Sequence, residues 1–192
     1  MKKMLSLLLG ISLILCLGSI ASAQTVGVDL HGIYGFAFSD DDAELEKGWG
    51  GGGSLTFCLG ELVKLDLGGD YLRPALKDAD DNYVQLIPVT GTIRVGPQIE
   101  PVYLYVGGGA GYSFNSLDFE GNIEDFFELE DCFTYHACAG FELSFTPDKE
   151  IGLRGEGRYV WMKPDIKEKA TGAKDEWNMN HFQARAGLVF YF

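Results

Sequence analysis

Between Gln24 and Phe192, apolar side chains recur at every second residue in segment after segment, and no stretch keeps the spacing of an amphipathic helix. Such alternation gives an extended segment one oily face and one polar face. Eight segments carry it, near 25–38, 48–59, 62–73, 83–96, 101–114, 132–146, 150–162 and 177–192. Their connections alternate as strictly. Those at 39–47, 74–82, 115–131 and 163–176 are long and polar, whereas Leu59–Leu62, Pro97–Glu100 and Pro147–Glu150 are tight. An up-and-down arrangement puts every long loop at one end and every short turn at the other. The predicted fold is therefore all-β, an eight-stranded antiparallel up-and-down barrel.

Sorting by parity gives the oily face Val26, Val28, Leu30, Tyr34, Phe36 and Phe38 in the first segment. Trp49, Leu55 and Phe57 follow in the second, Ile87, Val89, Ile93 and Val95 in the fourth, and Leu104, Val106, Tyr112 and Phe114 in the fifth. The polar face carries Asp29, His31, Lys64, Asp66, Asp70, Arg94, His136, Glu142, Arg154, Glu156, Arg158, His181 and Arg185. Arg73, at a segment end, is the one charge with the oily parity.

A soluble, lipocalin-like barrel would hide the oily face, and alternation alone does not choose. Three features favour the inverted arrangement. The polar face is full of small residues, among them Gly50, Gly52, Ser54, Gly68, Gly107, Gly109 and Gly111, which suit the narrow bore of an eight-stranded barrel. Its charges cancel, five basic (Lys64, Arg94, Arg154, Arg158, Arg185) against five acidic (Asp29, Asp66, Asp70, Glu142, Glu156), as an enclosed set must. Aromatics of the oily face gather at segment ends, with Trp49 and Trp161 toward the long loops and Phe57, Phe145 and Phe192 toward the short turns. Girdles at lipid headgroup level look like this. Pro88, inside the fourth segment, predicts a local bulge, because a closed barrel has no free edge to receive it.

The N-terminus reads as an address. Lys2 and Lys3 precede an apolar run from Met4 to about Leu17, then Ala21-Ser22-Ala23, the layout of a cleaved secretory signal peptide over 1–23, with the barrel at 24–192. Leu15 before Cys16 is too bulky for lipoprotein processing. Losing the two lysines takes the net charge from −13 to −15, a balance that excludes a nucleic-acid partner.

The chain ends Arg185-Ala186-Gly187-Leu188-Val189-Phe190-Tyr191-Phe192. The terminal Phe192, with Phe190 and Gly187 before it, resembles the C-terminal assembly signal of bacterial outer-membrane β-barrels. Leu104–Tyr112 and Gly152–Tyr159 are similar to stretches of the small members of that group, the OmpA transmembrane domain, OmpX and the opacity proteins. The resemblance implies long extracellular loops, short periplasmic turns and a lumen filled by charge networks. It also implies residence in the bacterial outer membrane as a monomer, among outer-membrane lipid and lipopolysaccharide, after handling by the barrel-insertion machinery. Full-length OmpA continues into a peptidoglycan-binding domain, which this sequence lacks after its eighth segment.

No constellation in the sequence calls for a cofactor, a resident metal or a catalytic residue. Gly107–Gly111 lies inside a strand pattern with no helix after it, unlike a phosphate-cradling loop. His31, His136 and His181 share the lumen face, with Cys138 near His136, but the first falls near mid-depth and the others toward the loops, so they read as hydrogen-bonded lumen residues rather than metal ligands. Lipid A-modifying enzymes also use eight-stranded barrels, and the deacylase of that class carries a lipid-facing His-x-Ser pair. No histidine here has Ser two residues on, although an acid–His–Ser relay through space with Ser113 or Ser144 stays open.

Arg154, Glu156 and Arg158 share one face, with Arg185 on the next segment, so Glu156 is expected among cations and Glu142 is a second partner. They form either a neutral plug or a gate, and the narrow bore favours the plug. Cys132 and Cys138, about 20 Å apart at ~3.3 Å per residue, are beyond disulfide reach, and with Cys58 they are expected as free thiols.

The acidic excess sits in the loops: −4 at Asp40–Lys47, −2 at Lys77–Asp81 and −7 at Asp118–Asp131. Two readings follow: a solvated repulsive surface, or loose Ca²⁺ or Mg²⁺ sites at Asp40, Asp41, Asp42, Asp118 and Glu120, without EF-hand spacing. Ile123, Phe126, Phe127 and Leu129 add an apolar stripe, read as a short lid helix or a docking patch. The expected role is structural or surface-interactive through the loop crown. A narrow gated pore is the alternative, and a lipid-modifying enzyme the third.

Overall fold

The computed structural model describes residues 25–36, 38, 45–76, 82–118, 127–146, 148 and 150–192. The signal-peptide reading over 1–23 lies outside the described residues, as do Asp40, Asp41, Asp42 and Glu120. Among the described residues twelve strands run β1 (Thr25–Phe36), β2 (Leu45–Cys58), β3 (Val63–Leu76), β4 (Tyr83–Val95), β5 (Gln98–Ile99), β6 (Val102–Asp118), β7 (Phe127–Leu129), β8 (Cys132–Ser144), β9 (Ile151–Met162), β10 (Asp165–Glu168), β11 (Lys174–Glu176) and β12 (His181–Tyr191). Eight long ones, β1, β2, β3, β4, β6, β8, β9 and β12, pair antiparallel with their neighbours in chain order. β12 pairs β1, and the ring is closed. The tight turn between β2 and β3 is allowed by Gly60, whose φ of 89° is open to glycine.

The oily face points outward. Leu30 is 60% exposed, Val106 65%, Ile93 55% and Leu188 44%, and a continuous wall of this kind is stable only against hydrocarbon. Near the long-loop end, ring contacts link Trp49, Tyr34, Phe36, Phe182, Tyr159 and Trp161 into half a girdle. One residue departs from the parity reading: Phe38 turns inward to stack on His181, with centroids 4.6 Å apart. Phe57 keeps its oily-face place opposite Val26 and Leu65, although it is buried there.

Pro88 makes no bulge. The β3–β4 register is the same on both sides of it, Gly69 opposite Val89 and Leu72 opposite Leu86, and beside it the pairs of Asp70 and Tyr71 drop out, as do those of Arg73 and Pro74 nearer the long loop. On its other side the ladder runs unbroken through Pro88 and Ser113. The missing N–H faces β3, so the barrel gives up pairing there rather than inserting a residue.

Two further features escaped the alternation. β7, β10 and β11 form a separate three-stranded sheet beyond the barrel rim, with Ile166 opposite Leu129 and Asp165 opposite Glu176. Residues 127–129 are thus strand, which corrects the lid-helix reading at Phe127 and Leu129. Inside the barrel at the same end, Ile33, Leu72, Val84, Leu86, Val160 and Met162 point inward and meet Leu129 and Met179 from the long loops, forming an apolar plug.

Candidate functional site

The ten predicted lumen charges all fall inside the bore, and their pairing follows from the register. Lys64 and Arg94 are directly opposite each other on β3 and β4, two cations side by side. Such a pair repels unless an anion reaches both. Glu142 does so from β8: one carboxylate oxygen pairs with Lys64 Nζ and the other with Arg94 Nη1. Tyr191 completes the knot, its hydroxyl 2.7 Å from both Lys64 Nζ and Glu142 Oε2.

Deeper in, Asp66 gathers two guanidinium groups. Arg94 Nη2 donates to Asp66 Oδ1 at 2.7 Å, and Arg154 Nη2 to Oδ2 at 3.1 Å. Arg94 Nε lies 2.6 Å from Asp66 Oδ2, close enough to attract but poorly aligned for a hydrogen bond. Thr56 donates to the same carboxylate at 2.7 Å. Arg154 also meets Glu156 at 2.9 Å and the Tyr105 hydroxyl at 3.1 Å, and Tyr105 in turn donates to Glu156 at 2.9 Å. Arg158 holds the other Glu156 oxygen at 2.9 Å.

Glu156 therefore has two of the three cations expected. Arg185, although opposite Glu156 in the β9–β12 register, pairs across the bore with Asp70. Likewise Glu142, opposite Arg154 in register, is taken by Lys64 and Arg94. Asp29 and Asp70 flank His31, whose Nδ1 pairs with Asp29 and whose Nε2 is 3.0 Å from Asp70. Asp29 Oδ2 has no hydrogen-bond partner among the described residues, the nearest cation being Arg154 at 3.8 Å. Lys64–Glu142, Arg94–Glu142, Arg154–Asp66 and Arg185–Asp70 join strands that are not neighbours, so the network braces the cylinder across its bore.

The other two histidines are separately engaged. His136 shares a 2.8 Å hydrogen bond with Thr92, while His181 donates to the Met179 carbonyl at 2.8 Å and receives the Gln183 amide at 2.9 Å. No three His, Cys, Asp or Glu side chains converge as metal ligands among the described residues. Cys58, Cys132 and Cys138 are free thiols, as their spacing requires. Parity would have placed Tyr103, Tyr105 and Tyr191 in the lumen with the charges, but as aromatics they carry no polar mark in a count of charges.

The bore is sealed at two levels. The charge network fills its middle, leaving cavities of only about 10 and 20 Å³, and the apolar plug closes it toward the long loops. At the short-turn end it widens into a vestibule of about 490 Å³ above the Lys64–Glu142–Tyr191 knot.

Of the acids read as loose cation ligands, Asp118 is already occupied: its Oδ2 accepts from Arg73 at 2.8 Å and from Gln85 at 3.0 Å. Arg73, the one oily-face charge, also stacks on the Tyr83 ring, 3.9 Å from its centroid, at the rim above the aromatic girdle. In the outer sheet Lys163 pairs with Glu176 at 2.7 Å and Lys174 with Glu130, whose carboxylate holds the lysine ammonium above its ordinary pKa. The C-terminal signal residues lie on β12 or just past it. A Cβ on Gly187 would stand 2.2 Å from the Leu30 carbonyl oxygen, so glycine there is a condition of closing β12 on β1. Phe192 is 83% exposed at the short-turn rim.

Over residues 7–190 the sequence matches the family described as the outer membrane protein beta-barrel domain. It matches no curated protein. Among solved structures it is similar to the outer membrane protein OprG from Pseudomonas aeruginosa, with a TM-score of 0.67, 14% identity, and 89% of this chain and 97% of that one covered. The Neisserial surface protein A gives a TM-score of 0.60 at 18% identity, covering 88% and 96%. Ail, the attachment invasion locus protein of Yersinia pestis, gives 0.55 at 14%, covering 88% and 98%. At these identities the likeness is one of fold.

Proposed function

Given that the chain belongs to the outer membrane protein beta-barrel family, and is an integral β-barrel of the bacterial outer membrane, we propose that it works as a closed, monomeric membrane scaffold presenting its extracellular crown. The observation that carries this reading is the double seal of the bore: ten paired charges in the middle and an apolar plug toward the loops. A barrel built to conduct would not fill its lumen twice. The working surface is the outer sheet of β7, β10 and β11 together with the long connections, whose sequence carries the bulk of the chain's negative charge.

The partners that go with this reading are outer-membrane lipid and lipopolysaccharide along the wall, and the barrel-insertion machinery reading Phe192 during assembly. Loose divalent cations among the loop acids belong to the same proposal, with Asp118 withdrawn by its pairing to Arg73. Protein reconstituted in planar bilayers is expected to show no discrete conductance steps, while an epitope placed after Gly172 is bound by antibody on intact cells. Conductance steps that change with Arg158→Ala would favour the second reading, a narrow pore gated by exchange of lumen pairs, for which the open vestibule on one side speaks. A change of lipid A mass on overexpression would favour an enzyme.

A further inference from the structure

The five-against-five balance of the lumen hides a division. Followed through its hydrogen-bonded ion pairs, the network separates into two groups. Lys64, Arg94, Arg154 and Arg158 share Glu142, Asp66 and Glu156, four cations on three carboxylates. Arg185 is left with Asp70 and Asp29, and it pairs with Asp70. Asp29 is fully buried, and Arg154 stops 3.8 Å from its Oδ2, beyond hydrogen-bond reach. A buried carboxylate without a bonded counter-charge is costly.

His31 stands where that charge is missing. Its Nδ1 faces Asp29 Oδ1, and its Nε2 lies 3.0 Å from Asp70 Oδ1. A neutral imidazole has one N–H and one lone pair, so it would turn the lone pair on one of these carboxylates. Only the imidazolium donates to both. The neighbouring backbone is cleared for this reach, with Gly52 of β2 and Gly187 of β12 directly opposite His31. A Cβ on Gly52 would run into Asp70 Oδ1, and one on Gly187 would stand 2.6 Å from the His31 Cβ. The small cavity beside the ring is also faced by Asp66 of β3, Thr90 and Thr92 of β4, and Arg154 and Arg158 of β9, whereas β2 brings no charge to it. Asp66, Arg154 and Arg158 are all engaged in the first group. With a proton on His31 the second group balances, Arg185 and His31 against Asp70 and Asp29.

We propose that His31 is a proton-dependent clasp, doubly protonated in the folded barrel at neutral pH, that ties β1 to β3 across β2 beside the β1–β12 seam where the ring closes. The folded barrel then holds a proton that the unfolded chain, with an ordinary imidazole near 6.5, releases. Stability from the clasp is therefore full below about pH 6.5 and falls as the pH rises above it.

The proton can be seen directly. In nitrogen-labelled full chain in lipid nanodiscs, NMR should find two ring N–H groups on His31 at pH 7.5, where an exposed imidazole is about nine-tenths neutral. His181, which donates from one ring nitrogen and accepts at the other, should show one. Asp29→Asn should bring the loss of the second His31 proton down by at least about one pH unit. In detergent micelles, urea titration between pH 7 and pH 8 should show the parent's unfolding constant rising about three- to tenfold more than that of His31→Gln. A single ring N–H on His31 at pH 7.5, or equal pH dependence in the parent and His31→Gln, would overturn the proposal. Should His31→Gln fail to fold, Asp29→Asn decides: loss of the second proton at the parent's pH would overturn it equally.

Discussion

Replacing Glu142 by Gln removes one charge and almost no volume, and it tests the lumen network at its most connected point. Glu142 accepts from Lys64, Arg94 and Tyr191, the first two buried and the third half-buried. Arg94 keeps Asp66 after the change, but Lys64 keeps only the Tyr191 hydroxyl at 2.7 Å. Lys64 and Arg94, adjacent in register, then lose the carboxylate that bridged them. Breaking a buried ion pair from one side costs about 3–5 kcal/mol, because the surviving charge stays desolvated. With a urea dependence of about 1–3 kcal/mol per molar, the unfolding midpoint should fall by roughly 1–5 M. Folded and unfolded barrels separate by electrophoretic mobility without boiling, so urea titration of refolded protein reads the shift. Lys64→Met should cost less, since Glu142 keeps Arg94 and Tyr191. If Glu142→Gln unfolds within about 0.5 kcal/mol of the parent, or Lys64→Met proves the more damaging, the lumen is hydrated and the pairing argument fails.

Glycines make a contrasting pair. A Cβ at Gly109 would stand 2.0 Å from the Gly91 carbonyl oxygen, whereas at Gly69 its nearest neighbour is 4.0 Å away. Gly109→Ala should therefore prevent or strongly destabilise folding in a refolding assay, and Gly69→Ala should leave the yield unchanged. The Arg73–Asp118 pair is about two-fifths exposed on both sides, so a double-mutant cycle to Ala should give a coupling of at most about 1 kcal/mol. Cys138, buried beside Tyr105, should resist a bulky maleimide in the folded barrel and react once unfolded, as mass spectrometry of labelled protein would show.

The eight barrel strands were legible because their alternation is long and unbroken, and each observed strand begins and ends within about four residues of its expected place. The lumen charges were legible for the same reason, since parity places a charged residue without further information. Their partners were not. Register pairs such as Glu142 with Arg154 suggest local contacts, but a bore this narrow lets long side chains reach the far wall, where a like-charged pair needs its counter-ion more. The apolar plug was hidden because both faces are oily there: Ile33 beside Tyr34, Leu72 beside Tyr71, Leu86 beside Ile87 and Val160 beside Trp161. Without a polar mark, alternation loses its meaning. The outer sheet was missed because strands of three or four residues, such as Lys174–Glu176, are too short to show a period. Pro88 misled in the other direction: one lost N–H was absorbed by dropping two register pairs.

The central claim is that the oily wall faces hydrocarbon and the bore does not. Methyl-resolved NMR of the barrel in lipid nanodiscs tests it, using a nitroxide fixed deep on a fatty-acyl chain. Leu30, Val89, Ile93, Val106 and Leu188 methyl signals should broaden, while those of Ile33, Leu72, Val84 and Val160 should persist. Loss of the second set with survival of the first would contradict the account.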